Sequence, residues 1–353
     1  MSRLGPAVRQ LVALPGFNRI FTPLVRDRGV ILRLHRFRDQ ERGIRGRDPA
    51  ALRTVLEFLR RQRYDLVSLE DLLRRLDGAG PPLRRTVAVT MDDGYLDQAT
   101  VGAPLFAEFD CPVTTFVTTG FLDGLIWFWW DKVTYIFEHS QVSDLRVQLA
   151  DGPTTYHWKD ARTRSHAADD FKERCKDVPD AEKEKAIRRL AAAADVELPD
   201  RAPAQYAPMS WDQLRACEEL GVSFGPHTVR HPILARVPAD QARAEIVDSW
   251  ERLRAEAHRP LAVFCYPNGR LEDFGQREIA VLRSLKFTGA VVTEPGYNHS
   301  GWFRRDPEAR YMLRRFGNAD SLPHVAQFVS GFERLKRIIL GGTTAGPTDV
   351  AAG

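Results

Sequence analysis

Apolar and polar positions change period along this chain in a regular order. Residues 29–37, GVILRLHRF, read as a strand ending in polar residues, and the next stretch sets Leu52, Val55, Leu56 and Leu59 on one helical face. Asp48 is placed to cap that helix, and Pro49 suits its first position. SLEDLLRRL at 68–76 opens on Ser68 with Asp71 three residues later, a capping-box spacing. TVAVTM at 86–91 predicts a strand, followed by a helix from about Asp97 to Phe109 and a strand at 112–119.

The rhythm breaks between 121 and 207. LIWFWWDKVTYIFE is rich in aromatics, and a charged stretch with helical spacing comes after it. Alternation resumes at Ser210: a capped helix closed by Gly221, the strand and loop VSFGPHTVRHPIL, a long amphipathic helix, then strands LAVFCYPNG and TGAVVTE around a further helix. YMLRRF at 311–316 is the expected last strand. Strands alternating with helices predict an α/β fold with parallel strands and helical crossovers. His35, Asp92 and Asp93 then fall at strand ends, the side of such folds on which active sites are built.

Residues 1–28 read as an N-terminal arm, 29–320 as the folded body interrupted by an insertion at 121–207, and 321–353 as a C-terminal helix with a flexible tail. The insertion's Trp127, Phe128, Trp129 and Trp130 serve equally as packing or as a wall on which a sugar ring stacks.

Composition narrows the function classes. With 353 residues, 43 % of them hydrophobic and 28 % charged, the chain is an ordinary globular protein. A net charge of +4 is too small to point to nucleic acid, though it suits contact with anionic lipid or phosphate-bearing substrates. Cys111, Cys175, Cys217 and Cys265 lack C-x-x-C spacing, which excludes a zinc ribbon and favours reduced thiols. Pro15, Asn18, Arg19, Pro23 and Arg26 interrupt the N-terminus before a signal peptide or membrane span can form. The expected location is the cytoplasm, with peripheral contact at the membrane face.

The chemistry concentrates in two places. Asp92 and Asp93 come directly after a V-A-V-T-M strand, and adjacent residues there point in different directions. One carboxylate can hold an ion while the other takes a proton from water. A phosphatase with an aspartyl nucleophile spaces its acids as D-x-D, which this pair does not match. In HTVRH, His227 and His231 lie four apart, the spacing that shares a face on a helical turn. Two histidines and one aspartate leave open positions on Zn²⁺, Co²⁺, Mn²⁺, Ni²⁺ or Fe²⁺.

T-M-D-D-G at 90–94, H-T-V-R-H at 227–231 and F-C-Y-P-N-G at 264–269 together resemble the first three motifs of the polysaccharide deacetylases, the NodB-like carbohydrate esterases of family four. S-W-D-Q-L-R, V-V-T-E-P-G and the opening L-R-L-H-R-F are similar to the family as well. The resemblance implies a distorted (β/α)7 barrel, here with a mostly helical insertion, and a divalent metal, usually zinc. It further implies hydrolysis of an acetamide or related acyl amide on a sugar. Carried over by position, Asp93, His227 and His231 hold the metal, Asp92 is the general base, and Thr228 supports the histidine loop. Asn268 offers a backbone N–H to the oxyanion, and Tyr266 and Pro267, with Trp129 and Trp130, are expected against the substrate.

Two positions depart from the pattern. Cys265 stands where many members have the arginine that holds the base, so Arg314 and Arg315 become candidates for that role. Cys265 as a thiol nucleophile lacks a nucleophile elbow or helix N-terminus, so a small buried residue is expected. The family's late leucine–histidine motif, which supplies the general acid, is not clear in this sequence, leaving His35 first, then His299 and His324. The expected activity is metal-dependent removal of an N-acetyl group from a sugar in a glycan or a lipid-linked or otherwise conjugated precursor. The alternatives are a deformylase or other C–N amidohydrolase on the same barrel, and a non-catalytic barrel that binds glycan.

Overall fold

The computed structural model describes residues 14, 17–149, 151–176, 178–317 and 321–339. Among them, no helix is long and apolar enough to cross a membrane. The strands are β1 (Arg28–Leu34), β2 (Asp65–Leu66), β3 (Thr86–Asp93), β4 (Val113–Val117), β5 (Asp144–Leu149), β6 (Gly152–His157), β7 (Val222–Pro226), β8 (Val263–Cys265), β9 (Gly289–Val291) and β10 (Asn298–His299).

The alternation of the sequence becomes a parallel sheet in the order β1, β3, β4, β7, with β10 antiparallel on the outer side of β1. β8 and β9 form a separate parallel pair. Single bridges join these pieces: Phe224 to Pro260, Val291 to Leu313, and Leu32 to Phe316. The ring therefore closes through residues 313–316, giving seven positions around an α/β barrel. Every residue of β3 is buried, as a strand covered on both faces requires.

Helices cover the outside, and their starts obey the sequence signals. The Asp48 side chain accepts from Ala50 N ahead of Pro49–Arg61, and Ser68 Oγ accepts from Asp71 N ahead of Leu69–Leu76. Ser210 and Gln213 form a complete capping box before Trp211–Glu219. Such caps each contribute about 1 kcal/mol.

The structure refines three expectations. YMLRRF is not one strand: Pro307–Met312 is a 3₁₀ helix, and only residues 313–316 enter the ring, by isolated bridges. The helix expected from Asp97 starts as a π-helical turn, Gln98–Gly102, before Ala103–Glu108. The insertion contains an antiparallel hairpin, β5–β6, besides the helices Trp129–His139, Ala161–Lys176 and Asp180–Ala193. The insertion has its own core, in which Phe137, Leu145, Val147, Phe171 and Leu190 meet.

The two termini pack together on the barrel. The 3₁₀ helix Phe17–Val25 lies against Leu322–Ser330 and Phe332–Ile339, with the Phe21 and Phe332 rings edge-on at 5.2 Å. The expected flexible tail beyond 339, and residues 1–13 of the arm, lie outside the described residues.

Candidate metal centre and active site

Register brings the site together. Asp93 is level with Val117 and Val117 with Pro226, so His227 emerges one residue beyond, beside the end of β3. Asp92 and Asp93 belong to the buried strand itself, and the chain then turns sharply. Asp93 and Gly94 both take φ of +90°. That conformation is strained for an aspartate and natural for glycine, and it swings the two carboxylates apart.

Asp93 Oδ1 lies 3.7 Å from His227 Nε2 and 3.9 Å from His231 Nε2, and the two Nε2 atoms are 3.1 Å apart. These three ligand atoms lie within 4.8 Å of one another, the one such group of buried acids and imidazoles among the described residues. The histidines do not share a helical turn, contrary to the spacing argument: HTVRH is a loop, with Thr228 at φ +67° and His231 at φ +61°. Thr228 Oγ1 donates to the His227 carbonyl at 2.5 Å and accepts the His231 N–H at 3.0 Å. The buried Glu245, from the helix Ala239–Glu256, accepts the N–H groups of Val229 and Arg230 at 2.8 and 2.9 Å. Glu245 was missed in the sequence because it sits on an ordinary amphipathic helix.

A divalent cation fits this donor set. His227 Nδ1 is 2.7 Å from the Cys265 carbonyl, which fixes the proton there and leaves Nε2 free to ligate. Burial pulls His227 down to about 4 and His231 well below the ordinary imidazole range, so both rings are neutral, as metal ligands must be. Burial, then Asp92 and Asp131, push the Asp93 carboxyl well above its usual range. A cation beside Asp93 removes that penalty. His231 Nδ1 is buried without an acceptor among the described residues, and its ring is held instead by Trp130 and Phe128, edge-on at 4.8 and 5.6 Å.

Asp92 has a different environment. Arg315 Nη1 donates to Asp92 Oδ1 at 2.6 Å and to Thr90 Oγ1 at 3.2 Å, while its Nη2 reaches Cys265 Sγ at 3.3 Å and its Nε the Val292 carbonyl at 3.1 Å. Burial alone would raise Asp92, but Arg315, with His35 and His227, overcomes it and holds the carboxyl well below the usual range. Cys265 is fully buried with its thiol pushed well up by burial, which leaves it inert as a nucleophile. Arg314 points elsewhere, its guanidinium over the Trp302 ring at 5.7 Å.

The centre opens into a cleft of about 640 Å³, lined by His35, Asp92, Asp93, Trp129, Trp130, Tyr266 and Asn268 among others. His35 Nε2 lies 3.8 Å from Asp92 Oδ2. His299 does not share this face: it pairs with Arg28 at the opposite end of β1, and its Nδ1 accepts the Gly301 N–H at 2.9 Å. His324 bonds Ser321 Oγ at 3.1 Å in the first turn of Leu322–Ser330, away from the cleft. Asn268 takes φ +59°, its side chain held by Asp273 at 2.5 Å, and Gly269 comes next at φ +69°. Tyr266 meets the cleft but is buried, its ring stacked on Phe274 at 3.8 Å, and Pro267 is buried outside the lining.

The aromatic cluster divides. Trp127 and Phe128 are buried packing, while Trp129 and Trp130 face the cleft. Trp130 Nε1 donates to Tyr95 Oη at 3.0 Å, and Tyr95 donates to Asp131 Oδ2 at 2.7 Å. Arg36, bonded to Asp97 at 2.7 Å, lies over the Tyr95 ring at 3.8 Å. Burial pushes Asp131 up to about 7, against the hydrogen bond it accepts from Tyr95. Tyr95, Asp131 and Arg36 were not anticipated as site residues. Tyr95 comes directly after T-M-D-D-G, which was the available signal.

Buried Asp–His–His ligands beside a second, arginine-held aspartate at the mouth of an α/β barrel define a metal-dependent hydrolase. Residues 185–290, which include both histidines, match the polysaccharide deacetylase family. The fold is similar to that of the Streptococcus pyogenes deacetylase PplD in complex with acetate, at 17 % identity and TM-score 0.54, covering 86 % of this chain and 98 % of that one. It is also similar to IcaB from Ammonifex degensii, at 16 % identity and TM-score 0.53 over 86 % and 97 % of the two chains. The deacetylase domain of BpsB from Bordetella bronchiseptica is similar at 16 % and 0.50, over 82 % and 96 %. No curated protein sequence matches the chain. In its motifs, its barrel and its ligand set, the chain is similar to the NodB-like polysaccharide deacetylases.

Proposed function

We propose that this protein removes an N-acetyl group from an amino sugar within a glycan or a lipid-linked or otherwise conjugated sugar precursor. The observation that carries the reading is the split between the two aspartates: Asp93 faces two neutral imidazoles, and Asp92 faces Arg315. Asp93, His227 and His231 would hold a divalent ion, with zinc our assignment for this donor set. When bound, such an ion polarises an acyl carbonyl and acidifies a water.

The chain's own residues do the rest. Asp92 stays ionised at neutral pH and takes the proton of the attacking water, its oxygen aimed by Arg315. The main-chain N–H of Asn268, at the rim of the cleft, donates to the developing oxyanion. His35, neutral at pH 7 and in reach of Asp92 and of the cleft, relays to the leaving amine the proton that Asp92 took from the water. Trp129 and Trp130 offer faces for the sugar, with Tyr266 behind them. Exposed Ile20 and Ile338, on terminal elements that pack together, support peripheral membrane contact.

The test is to incubate the metal-loaded protein with a panel of N-acetylated sugars, nucleotide sugars and oligosaccharides, monitoring acetate and free amine by NMR. Stoichiometric acetate and amine are expected. Formate from N-formyl sugars with no acetate release would move the assignment to a deformylase. Glycan binding without any hydrolysis by the metal-loaded protein would reject the enzyme reading.

A further inference from the structure

A second cleft, of about 380 Å³, adjoins the catalytic one and shares His35 and Arg36 with it. We propose that it is a subsite for an oxyanion, a phosphate or carboxylate that the substrate carries on the deacetylated sugar or its neighbour. The proposal rests on the N-acyl sugar reading above and narrows its substrate class.

Arg33 carries the inference. It leaves β1 level with Thr90, the residue whose hydroxyl Arg315 uses, and it lines the second cleft. The residue is only partly exposed, and its Nε is buried without an acceptor among the described residues. Among the described residues, Arg33 forms no ion pair. Burial, then the neighbouring Arg315, lowers its pKa. Asp92, the acid that opposes this most, is already met by Arg315 at 2.6 Å. A shielded guanidinium nitrogen with no acceptor among the described residues is costly, and a ligand oxyanion is a partner that the group's donors fit.

The surrounding charges leave that role to Arg33. Arg36 is committed to Asp97 and to the Gln205 carbonyl, both at 2.7 Å. Asp48, the acid on the lining, is turned toward Arg38 at 2.9 Å and toward Ala50 N at 3.0 Å. Arg47 adds a further cation to the wall, and the first turn of Pro49–Arg61 borders the cleft at Ala51. A planar guanidinium pairs with two oxygens of one phosphate or carboxylate, which a neutral sugar hydroxyl cannot replace. Because the clefts join at His35, an oxyanion on Arg33 and an acyl group at the metal ligands can belong to one substrate molecule.

The experiment compares three N-acetylated substrates on the metal-loaded full chain: a sugar 1-phosphate, a uronate-bearing disaccharide, and a neutral methyl glycoside. The expected result is at least a tenfold advantage in kcat/KM for one or both charged substrates, and which one leads identifies the oxyanion. In Arg33→Gln the charged-to-neutral ratio falls toward one, and in Arg33→Lys it falls part of the way. Thermal midpoint and metal content check that each variant is folded; if Arg33→Gln is not, Arg33→Lys decides. Separately, ³¹P line broadening of inorganic phosphate should weaken at least tenfold from wild type to Arg33→Gln. A wild-type ratio near one, or a ratio unchanged in both variants, overturns the subsite. If no substrate is hydrolysed, the deacetylase reading fails by itself, and Arg33-dependent phosphate binding still decides the subsite.

Discussion

Arg315 and Asp92 are 223 positions apart in sequence and 2.6 Å apart in space, both buried at the mouth of the barrel. Losing one member of such a pair strands the other's charge. Arg315→Met should therefore cost about 3–5 kcal/mol of stability by denaturant unfolding, and adding Asp92→Asn should recover part of it. The acid limb of kcat/KM should also move to higher pH in Arg315→Met, because Asp92 loses the cation that keeps it ionised. Strict additivity of the two substitutions would show that the pair is not coupled.

Asp93 predicts metal dependence of stability as well as of activity. Its carboxyl is pushed up by burial and by Asp92, so a bound cation should raise the thermal midpoint and a chelator should lower it. Asp93→Asn and His227→Gln should copurify with little metal, and added zinc should not shift their midpoints. A midpoint indifferent to chelation in the wild type would contradict the ligand assignment.

Glu245 predicts a loss of metal affinity from a residue that contacts no ligand side chain. Glu245→Gln keeps an acceptor oxygen but loses the charge across the Val229 and Arg230 N–H groups, loosening the loop between the histidines. Metal affinity should fall roughly 10–100-fold, the usual range for supporting contacts of this kind. Competition titration with a chromogenic chelator measures it.

Asp131 predicts a pH dependence with a definite sign. Its pKa is raised by burial from the ordinary value of 3.8 to about 7, so the folded state favours the protonated acid. The stability this gives is full below about pH 4 and disappears as pH rises through 7. Asp131→Asn mimics the protonated form, so its midpoint relative to wild type should climb across that window and level off above it. A constant difference between pH 4 and 8 would show that Asp131 does not titrate there.

Trp130 predicts a binding defect. Trp130→Phe removes the Nε1 donor to Tyr95 and narrows the cleft wall, while the ring contact with His231 can persist. KM should rise several-fold with metal content unchanged. A change confined to kcat would mean that the ring positions His231 instead of the sugar.

Local patterns made much of this legible. T-M-D-D-G and the strand–helix alternation depend on neighbours in sequence, and the barrel holds them as read, while H-T-V-R-H presents its histidines from a loop and not from a helical turn. The choice between Arg314 and Arg315 was not legible. Segment 313–316 enters the ring through single bridges after a 3₁₀ helix, so no strand periodicity says which side chain turns inward. His299 misled because β10 runs antiparallel to β1, which carries a residue late in the chain to the far end of the barrel. The β5–β6 hairpin was readable: Leu145, Val147 and Leu149 alternate with polar residues, and Asp151-Gly152 marks the turn. The charged helical stretch just beyond it is longer and dominates the pattern of the insertion.

The segment that closes the ring also bears on timing during synthesis. All three metal ligands and Asp92 have been synthesised once residue 231 is made, yet the cation for Asp92 arrives only with Arg315. A nascent chain stalled between these points would hold two adjacent buried acids with no arginine from 313–316 to offset them. Such an intermediate should be loosely closed and protease-sensitive at the β1 edge, and the last few strand residues should act as a latch on the finished barrel.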